Sequence, residues 1–191
     1  MIKKILIVLS TIIGIGLSLV LVGMFLINKE NLDYKSEYPL INPEIIKKKS
    51  PNSVIIISSS TCPGADNFTP IMKNNINIFK KNNIDYYIVD NQFHRGDVDS
   101  KISKFQNKHD LGNELIYLMD INKYPNNSGV FNAKRRYKDF MNDICEQCDT
   151  LPLGYAHYVL LKDGKFLKST YKVTDDDIAV YKNWEPSSYT S

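Results

Sequence analysis

The sequence predicts a mixed α/β fold, and two observations predict this class. A continuous β-branched run at Val54–Ile57 is followed by a short polar loop, a helical pattern and a second apolar strand at Ile84–Val89. Strands that alternate with a helix in this way are typical of a parallel sheet with helical crossovers. Nearer the C-terminus, two further strand patterns flank Asp163-Gly164, a dipeptide that favours a two-residue antiparallel hairpin.

Length and composition are those of one ordinary domain with an appendage. The chain has 191 residues, a net charge of +3 and three cysteines. This charge is too small to indicate a nucleic-acid partner, and three cysteines are too few for a disulfide scaffold. There is no P-loop, Gly-rich dinucleotide turn or hydrolase nucleophile elbow in the sequence. We therefore expect no nucleic acid and no cofactor.

The N-terminal segment has the pattern of a membrane anchor. Residues 5–27 carry no charged side chain and are long enough to cross a hydrocarbon layer of about 30 Å as one helix. No convincing cleavage site follows, so we expect an uncleaved single-pass anchor over residues 1–28. Because Lys3 and Lys4 precede the span, the positive-inside rule favours a domain outside the cytosol. Residues 29–51 have the composition of a polar, proline-punctuated linker.

One cysteine lies between the first core strand and the first helix. The loop Ser58–Gly64 is small and polar, and it contains Cys62. Unpaired N–H groups and the helix dipole at a helix start favour a thiolate over a thiol. The alternative interpretation is a small buried hydrophobic residue. The apolar face that predicts the helix consists of Phe68, Met72, Ile76 and Phe79.

The segment from about residue 90 to 153 is interpreted as a large, partly helical insertion that lies over one edge of the fold. Leu115–Met119 fits either a strand or a helical turn. Two helical faces flank it, one formed by Val98, Ile102 and Phe105 and the other by Ala133, Tyr137, Phe140 and Ile144.

The C-terminal part of the chain is expected to form a hairpin and a closing helix. Ala156–Leu161 and Lys165–Thr170 are the two strand patterns, and Thr174 is placed as the N-cap of the last helix. The predicted domain covers residues 52–185, and residues 186–191 are a short tail.

Together these features resemble the thioredoxin family. The family shares the order strand, loop, cysteine and helix, with a proline eight residues after the cysteine, here Pro70. Cys62-Pro63-Gly64-Ala65 is similar to the family's active-site Cys-x-x-Cys, with alanine in place of the second cysteine. The resemblance covers about residues 53–89 and 155–184. It implies a thioredoxin-like sheet with flanking helices, and thiol-disulfide exchange through Cys62 with protein thiols or disulfides as partners.

Several departures from the family pattern favour a rival interpretation. Thr61 stands where an aromatic residue normally precedes the nucleophile, and Ile56 occupies the strand position of a buried acid. Ala65 replaces the resolving cysteine, and Ala156-His157 falls where the family places its cis-proline and the next residue. The rival is an interaction module that kept the fold, lost the reaction and binds partners through the insertion.

The pair Cys145-x-x-Cys148 leaves three alternatives open. Its spacing allows a local disulfide, which would tie down the end of a helix. Either cysteine could instead resolve a mixed disulfide at Cys62. Finally, Cys62, Cys145, Cys148 and His157 could form a Cys₃His metal site. His109 lies in polar surroundings and is expected at the surface.

Overall fold

The computed structural model describes residues 13–22, 36–91, 97–124, 130–145 and 156–183. The described residues from 36 onwards form one sheet with helices on both of its faces. The strands are β1 (Leu40–Ile41), β2 (Ser53–Ser58), β3 (Asp85–Asp90), β4 (Ile116–Met119), β5 (His157–Lys162) and β6 (Lys165–Thr170). The helices are α1 (residues 13–22), α2 (Pro43–Lys49), α3 (Ala65–Lys81), α4 (Val98–Lys108), α5 (Val130–Ile144) and α6 (Asp175–Asn183).

The sheet has the strand order β1-β4-β3-β2-β5-β6. Strands β1, β4, β3 and β2 run parallel, whereas β5 is antiparallel to β2 and β6 is antiparallel to β5. All six residues of β2 are buried, as expected of a strand covered on both faces. At its carboxyl end Ser58 is paired with Asp90, and Ile57 with His157. The end of β2 therefore lies between polar residues of its two neighbours.

The core is divided by the sheet into two clusters. Successive side chains of β2 point to opposite faces, so Ile56 belongs to one cluster and Ile57 to the other. The first cluster contains apolar residues of α3, α4 and α6, including Phe79, Phe105 and Tyr181. The second contains residues of α2 and α5, such as Phe140. The molecule thus has a layer of helices on each side of one sheet.

The predictions of helix α3 and of the Asp163-Gly164 turn, which rest on strong local patterns, are confirmed. Met72, Ile76 and Phe79 of α3 are each at most 2% exposed. Asp163 and Gly164 both have positive φ, 51° and 71°, as a two-residue hairpin turn of this kind requires.

The predicted N-cap of α6 is also confirmed. The Thr174 hydroxyl accepts a hydrogen bond from the Asp177 N–H (3.2 Å), and the Asp177 carboxylate accepts one from the Thr174 N–H (2.9 Å). This reciprocal arrangement is a capping box, which satisfies two amide donors that the helix itself leaves unpaired.

The domain begins earlier than the sequence analysis indicated. Part of the expected linker 29–51 forms β1 and α2, and Ile41 and Ile46 are 1% and 0% exposed in the second core cluster. Helix α2 forms here because the segment contains a helix start, which its polar composition does not indicate. Asn42 caps α2 by accepting the Ile45 N–H (3.0 Å), and Pro43 occupies the first helical turn, where proline is tolerated.

The insertion is part of the sheet and does not only cover its edge. Strand β4 lies between β1 and β3, with Leu118 paired to Leu40 on one side and to Asp90 on the other. Its flanking helices α4 and α5 then cover opposite faces of the sheet. The position over one edge that we expected is therefore corrected to an extension of the sheet by one internal strand.

Only the middle of the predicted anchor is described. Residues 13–22 are helical and their apolar side chains are exposed, Leu17 by 60% and Leu19 by 67%. Within the described ranges, we find no helix with both the length and the apolar character needed to cross a membrane. Residues 5–12 and 23–27 of the predicted span lie outside those ranges, as do Cys148 and the tail 186–191.

Candidate functional site

Cys62 lies in the loop that joins the buried strand β2 to helix α3. Its N–H donates to the Ser59 carbonyl (3.1 Å), so the loop makes a tight turn. The next residue but one, Gly64, is the N-cap of α3. Cys62 is partly exposed and is a free thiol. The sequence-based placement of this cysteine, in a loop just before a helix, is therefore confirmed.

A buried acid, Asp90, holds the Cys62 loop in place. Asp90, at the end of β3, is 0% exposed, and its Oδ2 accepts a hydrogen bond from the Ser60 N–H (2.7 Å). A second bond joins the strand ends, from the Asn91 N–H to the Ser58 carbonyl (3.0 Å). The position of the Cys62 loop is thus set by the end of the neighbouring parallel strand.

A buried arginine faces the same acid from helix α5. Arg136 is only 3% exposed. Burial lowers the pKa of the Arg136 guanidinium to about 10, while the negative charge of Asp90 raises it. A buried charge requires a partner of opposite sign, and Asp90 supplies one here. The acid that holds the Cys62 loop therefore also interacts electrostatically with the buried Arg136 of α5.

Cys62 opens into a cleft of about 310 Å³ between its loop and α4. Among the residues predicted to shape the site, Thr61 and Pro63 line this cleft together with Cys62. The remaining lining residues are Ser60, Asp66, Lys101, Lys104, Phe105, Lys108 and His109.

The side of the cleft opposite Cys62 is basic. Lys101 Nζ lies 2.5 Å from Asp97 Oδ2, and Lys108 Nζ lies 2.7 Å from Asp66 Oδ1. His109 also approaches Asp66, with Nε2 at 3.2 Å from Oδ1. The hydrogen bond from Lys108 lowers the pKa of the Asp66 carboxyl below its usual value. Asp66, the one acidic side chain among the described lining residues, is therefore held ionised by its basic neighbours.

His109 corrects an expectation from the sequence. It was expected at the surface, but its side chain is only 12% exposed. Its ring packs against Phe105, with centroids 4.9 Å apart. The polar residues around it in the sequence conceal this contact, because Phe105 lies one helical turn earlier on the same face of α4.

Ala156 and His157 lie beside the end of β2 and do not line the cleft. Ala156 is 8% exposed and belongs to the first core cluster, whereas His157 is 1% exposed. The His157 ring packs edge-on against Tyr171, with centroids 5.0 Å apart. Neither of its ring nitrogens has a hydrogen-bond partner among the residues that the structure describes, and burial lowers the pKa of His157 to about 4. His157 is therefore a neutral, packed side chain at neutral pH.

Pro70 and the first turn of α3 complete the predicted motif. Ala65 is the first residue of α3, and Pro70 lies inside the same helix with its side chain exposed. A proline within the second turn removes one helical N–H donor. Pro70 does not line the cleft.

Cys145 does not belong to the Cys62 site. It is disulfide-bonded, whereas Cys62 is free, so the two are not joined to each other. Cys145 packs against the second core cluster, and α4, which forms the cleft wall, packs on the first. The end of α5 is held there by Lys47, whose Nζ donates to the carbonyls of Asp143 (2.9 Å) and Ile144 (3.1 Å).

The proposed Cys₃His metal site finds no support among its described members. Cys62, Cys145 and His157 are all described, and no three metal-ligating side chains in the described ranges are grouped to hold an ion. A disulfide-bonded Cys145 also lacks the thiolate that would bind a metal. Cys148 lies outside the described residues.

Sequence reasoning missed the buried pair and the basic wall. Asp90 follows a predicted strand, and polar residues at the carboxyl ends of adjacent parallel strands meet at one edge of a sheet. This pattern could have predicted the position of Asp90. Similarly, Lys101, Lys104 and Lys108 recur at helical spacing on one face of α4, which could have predicted the basic side of the cleft. Arg136 carried no such signal, because its partner lies far away in the sequence.

Similarity to known proteins is found among solved structures. No protein-family model matches the chain, and no curated protein matches it. Among solved structures, a match is found to the thioredoxin domain of a thiol-disulfide oxidoreductase from Bacteroides vulgatus. The identity is 17% and the TM-score 0.44, and the match covers 68% of this chain and 76% of that chain.

The architecture itself has the features that the resemblance implied. A parallel β2-α3-β3 unit carries the cysteine at the end of β2. The antiparallel pair β5-β6 adjoins β2 and is followed by the closing helix α6. The chain has a thioredoxin-like fold, extended by an additional strand and helices, with the free cysteine Cys62 in the loop before α3.

Proposed function

We propose that the domain performs thiol-disulfide exchange through Cys62, with protein thiols or disulfides as its partners. The observation that carries this proposal is the placement of a free, partly exposed thiol beside a cleft of about 310 Å³. A cysteine that serves only as a core residue does not open into a ligand-sized cleft. The loop that holds it is fixed by Asp90, so the thiol is held in place before a partner arrives.

The chemistry follows from the sequence around the thiol. The Cys62 thiolate attacks one sulfur of a disulfide, a new S–S bond forms, and the other sulfur leaves as a thiolate that takes up a proton. Ala65 occupies the position from which a second cysteine would attack the new bond. The mixed disulfide should therefore persist until an external thiol cleaves it.

The lifetime of this mixed disulfide tests the proposal. The full-length protein is treated with hydroxyethyl disulfide, freed of reagent and followed by mass spectrometry. We expect a stable adduct on Cys62 in the wild type. In Ala65→Cys, we expect the adduct to be lost at least about tenfold faster, because a neighbouring thiol acts at a high effective concentration.

Two matched variants serve as controls for that experiment. Ala65→Ser changes the same position without adding a thiol and should retain the adduct. Cys62→Ser should form no adduct at this site. An adduct that forms equally well in Cys62→Ser, or no adduct in the wild type under conditions where iodoacetamide alkylates Cys62, contradicts the proposal.

A second candidate function is supported by a specific observation. Thr61, Ala65 and Ala156 all depart from the pattern of active thioredoxins. A domain with these replacements could bind partners without reacting with them, as an interaction module. Trapping in cells distinguishes the two functions, since a pure interaction module binds its partners without forming a disulfide to them.

We also propose that Cys145 is bonded to Cys148 and so ties down the end of α5. Cys145 is disulfide-bonded and follows directly after Ile144, the last residue of that helix. A short loop of this kind restricts the unfolded chain only modestly but fixes the helix end locally. Peptide mapping without reduction should recover both cysteines in one disulfide-linked fragment, and a Cys145–Cys62 fragment would contradict the assignment.

The domain is proposed to lie outside the cytosol, held at the membrane by residues 5–27. The uncharged length of this segment and the preceding Lys3 and Lys4 support this location. Carbonate washing should leave the protein in the membrane pellet, and protease added to intact cells should cleave the domain. Recovery of a soluble form that begins near Lys29 would identify a cleaved signal peptide instead.

A further inference from the structure

The cleft beside Cys62 has an excess of positive charge that the exchange reaction itself does not require. Three lysines from one face of α4 line it, and Asp66 is the single acidic residue among the described residues that do so. Because Asp66 is already bound by Lys108 and His109, it does not repel an incoming anion strongly. The three lysines are Lys101, Lys104 and Lys108.

Of the three lysines, Lys104 is the one that forms no ion pair with another described residue. Lys101 is paired with Asp97, and Lys108 with Asp66. Lys104 is exposed and makes no ion pair or hydrogen bond with any described residue. It therefore lies in the wall of the cleft, in the middle of a basic row, with its ammonium group available to a ligand.

The wall formed by the Cys62 loop and the start of α3 adds a weaker positive charge. Helix α3 begins at this wall, and its N-cap, Gly64, has no side chain to accept a hydrogen bond from the first turn. The uncapped N–H groups at a helix start carry a partial positive charge. An anionic group in the cleft would therefore meet the lysines of α4 on one side, with the Cys62 thiol and the start of α3 on the other.

The size of the cleft limits what can enter it. A volume of about 310 Å³ lies at the lower end of the range of ligand pockets, roughly 300–1,000 Å³. Such a cleft accommodates a short extended segment of a few residues. Since exchange partners of the domain are proposed to be proteins, the occupant to expect is the segment around the reactive cysteine.

We propose that Cys62 selects cysteines that are flanked by acidic residues in the partner protein. The carboxylates of that segment are held by Lys104 and the basic face of α4 while the partner's sulfur reaches the Cys62 thiolate. This inference rests on the proposed exchange function and names the substrate class of the same site. It predicts a faster reaction with acidic segments because opposite charges raise the local concentration of the partner.

The test uses one leaving group and varies only the charge of the segment. Three short peptides carry a central cysteine activated as a 2-thiopyridyl disulfide, flanked by glutamates, glutamines or lysines. The Cys62 thiolate attacks the peptide sulfur, a Cys62–peptide disulfide forms, and 2-thiopyridone is released and measured by absorbance. Each bond formed is matched by one bond broken, so no further oxidant or reductant is required.

The full-length protein should react fastest with the acidic peptide and slowest with the basic one. Each ion pair at about 7 Å in a high-dielectric setting changes the rate about threefold. The preference should largely disappear at an ionic strength of about 1 M, where the Debye length is about 3 Å. Lys104→Gln should reduce the rate with the acidic peptide, relative to the rate with the neutral one, about threefold, and Lys104→Glu should reduce this ratio further.

Lys81→Gln is the matched control, since it removes the same charge from the exposed end of α3. That position lies about 24 Å along the helix from its start at 1.5 Å per residue. Equal rates for the three peptides, or equal effects of Lys104→Gln and Lys81→Gln, overturn the inference while exchange at Cys62 stands. If no peptide reacts although iodoacetamide alkylates Cys62, the exchange function fails and the inference fails with it.

Discussion

Replacing Asp90 with asparagine should destabilise the folded protein by about 3 kcal/mol, the low end of the effect of breaking a buried ion pair. Asp90 and Arg136 are 0% and 3% exposed, so neither charge is compensated by water. The amide of asparagine still accepts the Ser60 N–H through its oxygen but supplies no negative charge to Arg136. The loss therefore reports the charge and not the shape of the side chain.

Chemical denaturation measures this effect, and the same strand provides the control. Asp85 lies at the exposed start of β3, so Asp85→Asn should change the free energy of unfolding by no more than about 0.5 kcal/mol. A loss below about 1 kcal/mol in Asp90→Asn would show that Asp90 does not stabilise the buried charge of Arg136. In that case the buried pair would not support the Cys62 loop as described.

Acidification below pH 6.5 should destabilise the protein through His157. Its pKa is about 4 in the folded state because of burial, against about 6.5 in an unfolded chain. Between these values the unfolded state binds a proton that the folded state does not, so stability falls as the pH falls. The full effect, reached below about pH 4, is about 3 kcal/mol, since each unit of pKa difference corresponds to about 1.4 kcal/mol. Above about pH 6.5 His157 contributes no pH dependence.

His157→Phe isolates this contribution. Phenylalanine keeps an aromatic ring against Tyr171 and removes two buried nitrogens that lack hydrogen-bond partners. We expect about 1 kcal/mol of added stability at pH 7, because an unsatisfied buried polar group costs about that much or more. Carboxylates titrate in both proteins, so the difference between their unfolding free energies from pH 7 to 4.5 reports His157. An identical decline in both proteins would contradict the assignment.

The parts of the fold that could be predicted from sequence are those fixed by local patterns. The run Val54–Ile57, the periodic face of α3 and the Asp163-Gly164 turn each specify their structure within a few residues. The position of Cys62 followed from these elements, because a cysteine between a buried strand and a helix has few places to lie.

The remaining parts depend on contacts that are distant in the sequence. Strand β4 has four residues, and it becomes a strand because Leu118 pairs with Leu40 on one side and Asp90 on the other. Likewise, nothing near Arg136 in the sequence shows that it will be buried, because its partner Asp90 lies on another element. The pairing of short strands and of buried charges is decided by tertiary structure, which overrides local propensity.

The central claim is that Cys62 forms disulfides with partner proteins, and trapping in intact cells tests it most directly. Cells that express the full-length protein are quenched with acid, their free thiols are alkylated, and the protein is separated by electrophoresis without reduction. We predict species of higher mass in the wild type that collapse on reduction, are absent from Cys62→Ser and are depleted in Ala65→Cys. A wild type without such species, or the same species in Cys62→Ser, would contradict the account.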